Sequence, residues 1–142
     1  MSHLRFGKAD STITINLDAI IANWGYLDGL SASTTKTAAV VKANGYGLGS
    51  CVVATALAQA GCKLFFVASL NEAIELRTVF RQTGHDNLPI MVLHGLQRGQ
   101  EADFTAHQLE PVLNDVEQIS RWQLYAIKIA ATLPALLHLD TG

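Results

Sequence analysis

Cysteine is scarce in this chain: Cys51 and Cys62 are the only two among 142 residues. The stretch between them reads as one helix, and eleven residues at about 1.5 Å each hold the thiols about 16 Å apart. A bridge needs Cα atoms within about 7 Å, so a disulfide is excluded and both cysteines are expected as free, packed thiols. Basic clusters are missing too. Ten Lys and Arg stand against twelve Asp and Glu for a net charge of −2, which gives no cationic surface for nucleic acid or an anionic membrane. No apolar run reaches the roughly 18 residues of a membrane span, and Met1 to Asp10 is polar and charged where a signal peptide would be apolar. A cytoplasmic location is the expectation. His3, His85, His94, His107 and His138 are scattered without the spacing of metal ligands, so no metal site is expected.

What the chain does have is apolar residues, 49% of the total, enough to fill the core of one domain. They recur in a pattern. Strand-like runs occur at Ala38 to Val41, Leu64 to Ala68, Pro89 to Leu93, Glu110 to Leu113 and Ala135 to Leu139. Helix-like stripes lie between them. Val52, Val53, Ala56, Leu57 and Ala60 form one, closed by Gly61, and Ala73, Leu76, Val79 and Phe80 form another, closed by Gly84. Glu101 to His107 is a shorter candidate, and Val116 to Ala131 a longer one. Upstream, Thr12 to Leu17 alternates with period two and reads as a half-exposed strand, with Asp18 capping a helix through Trp24 and Leu27. Ser31 to Thr35 is a polar linker. Alternating strands and helices argue for an α/β fold with parallel strands and right-handed crossovers, in either a barrel or an open doubly wound sheet.

The first strand ends unusually. Ala38-Ala39-Val40-Val41 is buried in character, yet Lys42 follows, and alternation puts Lys42 on the face of Ala38 and Val40, predicted to be core. Gly45, Gly47 and Gly49 then let the backbone turn sharply, where a phosphate could meet backbone N–H groups and a helix N-terminus. This is no Walker loop, since no Gly-Lys-Ser/Thr follows, and it does not match the dinucleotide fingerprint. The plain alternative for Lys42 is a side chain that buries its stem and lifts its ammonium to solvent. For Tyr46 it is a turn aromatic.

Val40-Val41-Lys42-Ala43-Asn44-Gly45-Tyr46-Gly47-Leu48-Gly49 resembles the cofactor-attachment motif of alanine racemases, V-V-K-A-N-A-Y-G-H-G, at eight of ten positions. Val67-Ala68-Ser69-Leu70-Asn71-Glu72-Ala73 with Leu76-Arg77 fits the same family. So does His138-Leu139-Asp140-Thr141-Gly142, similar to the opening of H-x-D-T-G-M-x-R-L-G. The resemblance runs from about Ser11 to the end and implies a pyridoxal 5'-phosphate enzyme on a (β/α)8 barrel, interconverting L- and D-alanine for cell-wall precursors. It implies that Lys42 binds the cofactor as a Schiff base and then serves as one of two bases at Cα, that Tyr46 hydrogen-bonds the phosphate, and that the second base is a tyrosine of the partner subunit in a homodimer. A small amino acid is the implied substrate. It also assigns the first strand to the family's second domain.

A closed eight-stranded barrel takes about 250 residues. The chain therefore reads as an N-terminal strand, helix and linker over 1–36 and the first five barrel strands over 37–142. The rest of the barrel and a C-terminal domain are expected to be absent, leaving a fragment inactive alone with unpaired first and fifth strands. The alternative is a non-catalytic pyridoxal-phosphate-binding barrel protein or a decarboxylase relative. Gly45 and Leu48 depart from the motif's Ala and His with little change in chemistry expected. His138, which replaces a lysine of some members, is given no firm role. Arg77 is read as a surface or packing residue, Glu72 as a helix-face charge, Trp24 and Trp122 as core, and Asp140 as a loop cap.

Overall fold

The computed structural model describes residues 13–142. Helix α1 (Leu17–Gly29) is followed by β1 (Ala39–Val40), a one-turn segment α2 (Lys42–Tyr46) and α3 (Ser50–Gln59). Four further strands alternate with helices: β2 (Phe65–Val67), α4 (Leu70–Gln82), β3 (Ile90–Val92), α5 (Glu101–Ala106), β4 (Glu110–Leu113), α6 (Val116–Lys128) and β5 (Leu136–Leu137). The five strands form one sheet in chain order, every neighbouring pair parallel, with Ala39 opposite Phe65, Phe65 opposite Ile90, Met91 opposite Glu110 and Val112 opposite Leu136. All five expected strands and the four helices between them are present, so β1 and β5 are the edges of a five-stranded α/β sheet.

Alternation decides where the core lies. Ala39, Phe65, Val67, Ile90, Val92 and Leu113 point to the helical side, where they pack with Leu57 of α3, Leu76 and Phe80 of α4, Phe104 of α5 and Trp122 of α6. Phe65 meets Phe80 edge to face with ring centroids 5.0 Å apart, a geometry worth about 1 kcal/mol beyond simple burial. The opposite face corrects one expectation. Val40 and Lys42 were predicted to share a core face, but Val40 is 45% exposed while Ala39 and Val41 are buried. On the face of Val40, burial among the described residues sets in nearer the middle of the sheet, at Met91 and Val112.

The upstream strand is a second correction. Thr12 lies outside the described residues; Ile13 to Asn16 form no strand, and Leu17 already belongs to α1. An extended segment needs a partner to become a strand, and none pairs with it among the described residues. Asn16, not Asp18, caps α1 by accepting the Ala19 N–H at 3.0 Å. The tryptophans behave as expected. Trp122 is 4% exposed, and Trp24 packs on the core while its Nε1 donates to the Thr37 carbonyl at 3.1 Å. Cys51 is half-buried and Cys62 buried, both free, and burial pushes the Cys62 thiol pKa up.

Arg77 is a packing residue of an extreme kind. It is 1% exposed, and its guanidinium donates from Nε to the His107 carbonyl at 2.9 Å, from Nη1 to Asp86 at 2.5 Å and from Nη2 to Gln108 at 2.7 Å. One planar fork thus satisfies carbonyls from the loops that precede β3 and β4.

Candidate active site at the end of the first strand

The rungs between β1 and β2 include Ala39 N–H to the Leu64 carbonyl at 2.9 Å and Val41 N–H to the Phe66 carbonyl at 2.8 Å. The chain then leaves the strand in a left-handed turn. Ala43, Asn44, Gly45, Tyr46 and Gly47 have φ of 52°, 54°, 63°, 56° and 84°, closed by Gly45 N–H to the Val41 carbonyl and Gly47 N–H to the Ala43 carbonyl at 2.9 and 3.0 Å. A left-handed conformation costs an L-residue about 1–2 kcal/mol. Gly45 and Gly47 avoid that strain; Ala43, Asn44 and Tyr46 do not, so neighbouring groups must hold them there.

Two side chains do so. Asn44 Oδ1 accepts the Ser50 N–H at 3.0 Å, which caps α3 from within the turn because Gly49, at the cap position, has no side chain to offer. Glu72 accepts the Ala43 N–H on Oε1 at 2.9 Å and the Ala68 and Ser69 N–H groups on Oε2 at 2.8 and 3.4 Å. Ser69 Oγ accepts the Glu72 N–H in return, completing a capping box at the start of α4. The expected helix-face charge is therefore a bridge between two strand ends. Ser69-x-x-Glu72 was legible as a capping box; its third bond, to a residue 29 positions upstream, was not.

Lys42 is half-buried, and among the described residues it forms no ion pair. The carboxylate that touches its neighbour is committed to three backbone donors. Tyr46, four residues on, is 63% exposed. Neither residue lines the cavities of about 330, 360 and 180 Å³ formed among the described residues, the first of which lies at the opposite end of the strands beside Arg77, Glu110 and Trp122. The reason is positional, because among the described residues β1 is the edge strand, with β2 on one side of it.

His138 and Asp140 follow β5, so they lie at the same end of the sheet as Lys42 but at the other edge. His138 Nδ1 donates to Asn114 Oδ1 at 2.9 Å. Asp140 Oδ1 accepts the Gly142 N–H at 3.1 Å, the loop-cap role. Among the described residues no group of three or more His, Cys, Asp or Glu could hold a metal ion, and no helix is long and apolar enough to cross a membrane.

A family model described as "Alanine racemase, N-terminal domain" matches residues 15–142. The chain is 43% identical over 136 residues to a catabolic alanine racemase of Agrobacterium fabrum, covering 96% of the chain and 34% of that protein. It is 42% identical over 134 residues to the alanine racemase of Brucella abortus, covering 94% and 33%. The crystal structure of alanine racemase from Bartonella henselae with covalently bound pyridoxal phosphate superposes with a TM-score of 0.83 at 38% identity, over 90% of this chain and 34% of that one. The chain spans about a third of the length of the relatives it matches.

Proposed function

The chain belongs to the alanine racemase N-terminal domain family, and from that premise we propose that it is the cofactor-holding part of a pyridoxal-phosphate-dependent enzyme interconverting L- and D-alanine. The observation that carries the proposal is Lys42, a primary amine at the C-terminal end of a parallel strand with no ion-pair partner among the described residues. A lysine captures an aldehyde only as the neutral amine, and an adjacent carboxylate would hold it protonated. Glu72, whose carboxylate holds the N–H of the next residue, accepts backbone N–H groups on both oxygens and makes no ion pair with Lys42. The donor set therefore fits the cofactor: Lys42 Nζ would hold the aldehyde carbon, and the Tyr46 hydroxyl would donate to the phosphate.

Pyridoxal phosphate, when bound, draws electron density from the substrate's Cα and makes its proton acidic. Lys42 Nζ is the group of this chain that would take or return that proton on one face. Racemisation needs a second base on the opposite face, and we assign it to a part of the enzyme outside the matched third, in a homodimer. Within the chain we take residues 1–36 as an entry unit and 37–142 as barrel. Two free thiols suit a reducing, cytoplasmic compartment. The exposure of Tyr46 favours one variant of this reading, in which the 142 residues hold cofactor without turning substrate over.

The test is borohydride trapping of pyridoxal phosphate on the purified chain, followed by peptide mapping. Lys42 is expected to carry the label ahead of Lys8, Lys36, Lys63 and Lys128, the Lys42→Ala variant to lose it, and D-alanine formation by the chain alone to be negligible. Label spread evenly over the lysines would overturn the assignment.

A further inference from the structure

We propose that Glu72 is a positioning residue, which fixes the backbone of Lys42 by standing in for a rung of the parallel sheet. The proposal rests on the reading of Lys42 as the attachment point. Along β1 the inward N–H groups alternate: Ala39 donates to Leu64, Val41 donates to Phe66, and the next donor in that series is Ala43. Its ladder acceptor would be the Ala68 carbonyl, but that oxygen is taken by the His94 N–H of the neighbouring segment at 2.9 Å. The left-handed turn has also begun there. Glu72 fills the gap from the side. One carboxylate oxygen takes Ala43 N–H from the first strand's end and the other takes Ala68 N–H from the second's, at 2.9 and 2.8 Å.

Lys42 is thus anchored at the residue before it by a true rung and at the residue after it by a carboxylate. Without the second anchor the edge strand ends at Val41, and three non-glycine residues of the turn lose one of the two side-chain anchors that oppose their strain. The charge of Glu72 is steadied by its place in the first turn of α4. The carboxylate thus holds the lysine's backbone through N–H bonds and, among the described residues, forms no ion pair with its amine. Sequence position alone hides this, since the same Ser69-x-x-Glu72 pattern would serve simply to start a helix.

That ambiguity provides the control. Ser69→Ala removes the cap that accepts the backbone N–H of residue 72 but leaves the bond from Ala43 to the Glu72 carboxylate, whereas Glu72→Ala removes the carboxylate's bonds to Ala43, Ala68 and Ser69 and leaves the Ser69 cap. Two readouts are compared across wild type, Ser69→Ala, Glu72→Gln and Glu72→Ala: hydrogen exchange of the Ala43 amide, and the share of borohydride-trapped pyridoxyl label on Lys42 relative to Lys8, Lys36, Lys63 and Lys128. Glu72→Ala is expected to speed Ala43 exchange and to lower the Lys42 share about tenfold each, the scale of one charge-assisted hydrogen bond. Ser69→Ala is expected to change neither more than about twofold, and Glu72→Gln, which keeps the volume and one acceptor, to fall between. Should Glu72→Ala not fold, Glu72→Gln against Ser69→Ala carries the comparison. Equal losses in Ser69→Ala and Glu72→Ala would reduce Glu72 to a helix cap. An unprotected Ala43 amide in the wild type would overturn the positioning role while leaving Lys42 as the attachment point. A protected Ala43 with no preferential label on Lys42 would overturn both.

Discussion

Lys42 and Arg77 are two cations at opposite ends of one sheet, and the protein treats them in opposite ways. Arg77, from the middle of α4, reaches the N-terminal ends of the strands, is 1% exposed and donates to three backbone carbonyls. Lys42, at the C-terminal end of β1, is half-buried, with its backbone held on both sides and, among the described residues, no carboxylate on its amine. Burial lowers the pKa of Arg77, yet the guanidinium starts so high that it stays charged. The lesson is one of division. A charge that must stay is surrounded by acceptors, and the amine proposed to react has no carboxylate on it among the described residues. In a parallel α/β architecture this matches the usual split between a stabilising lower face and a reactive upper one.

The strongest way to break that contrast is to remove Arg77. Arg77→Ala leaves three carbonyls without their donor in a buried setting, at about 1–3 kcal/mol each with partial relaxation. A loss of about 4 kcal/mol is expected in urea unfolding, and Arg77→Lys should recover less than half, because an ammonium cannot reproduce the fork. Lys42→Ala should shift stability by under about 0.5 kcal/mol, as for surface substitutions in general, while abolishing the pyridoxyl label. A variant pair in which Lys42 matters as much to unfolding as Arg77 would erase the distinction.

A smaller effect sharpens the other half of the comparison, the strained turn after Lys42. A Cβ at Gly45 would meet Ser50 N at 3.0 Å and Cα at 3.2 Å, at a φ of 63°. Gly45→Ala restores the residue usual in the family's motif, but on this backbone it adds left-handed strain and presses on the first residue of α3. A loss of about 1 kcal/mol is expected, without loss of label on Lys42. A stabilised variant would mean that α3 shifts freely and that the turn is not fixed from behind by Asn44.

These contrasts were unevenly legible in the residues. The five strands announced themselves because each is a short apolar run, and Gly61 and Gly84 marked helix ends correctly. What failed was what a lone sequence window cannot carry. Thr12 to Leu17 alternated like a strand, but Ile13 to Asn16 have no strand partner among the described residues, and Lys42 was assigned a core face because alternation fixes which residues share a side, not which side is covered. The motif around Lys42 was readable by likeness, and its three glycines pointed to unusual backbone. Left-handed φ at Ala43, Asn44 and Tyr46, all of which can be helical, could not be anticipated. Arg77 and Glu72 were underrated for a shared reason: their partners are backbone atoms about 30 positions away in sequence, and backbone acceptors and donors leave no signature in residue type.

The finest test uses pH against the Arg77 end. Glu110 lines the 330 Å³ cavity together with Arg77 and Asp86. Burial raises its carboxyl pKa above the ordinary value near 4.5, and the guanidinium of Arg77 partly offsets that rise. A raised folded pKa means that the native state binds the proton more tightly than the unfolded chain. This group's contribution is therefore most favourable at low pH and declines as pH rises from about 4.5 through the folded value. Because Glu110 retains solvent contact, the decline should be a few tenths of a kcal/mol. Glu110→Gln should remove it, giving a variant slightly more stable than wild type at pH 7 and indistinguishable at pH 4. In an Arg77→Lys background the same decline should steepen, since a displaced charge offsets burial less well. A Glu110→Gln variant that loses stability at pH 7 would show that the Arg77 charge outweighs desolvation at this carboxylate, and that the lower end of the sheet is held by an ion pair as well as by its carbonyls.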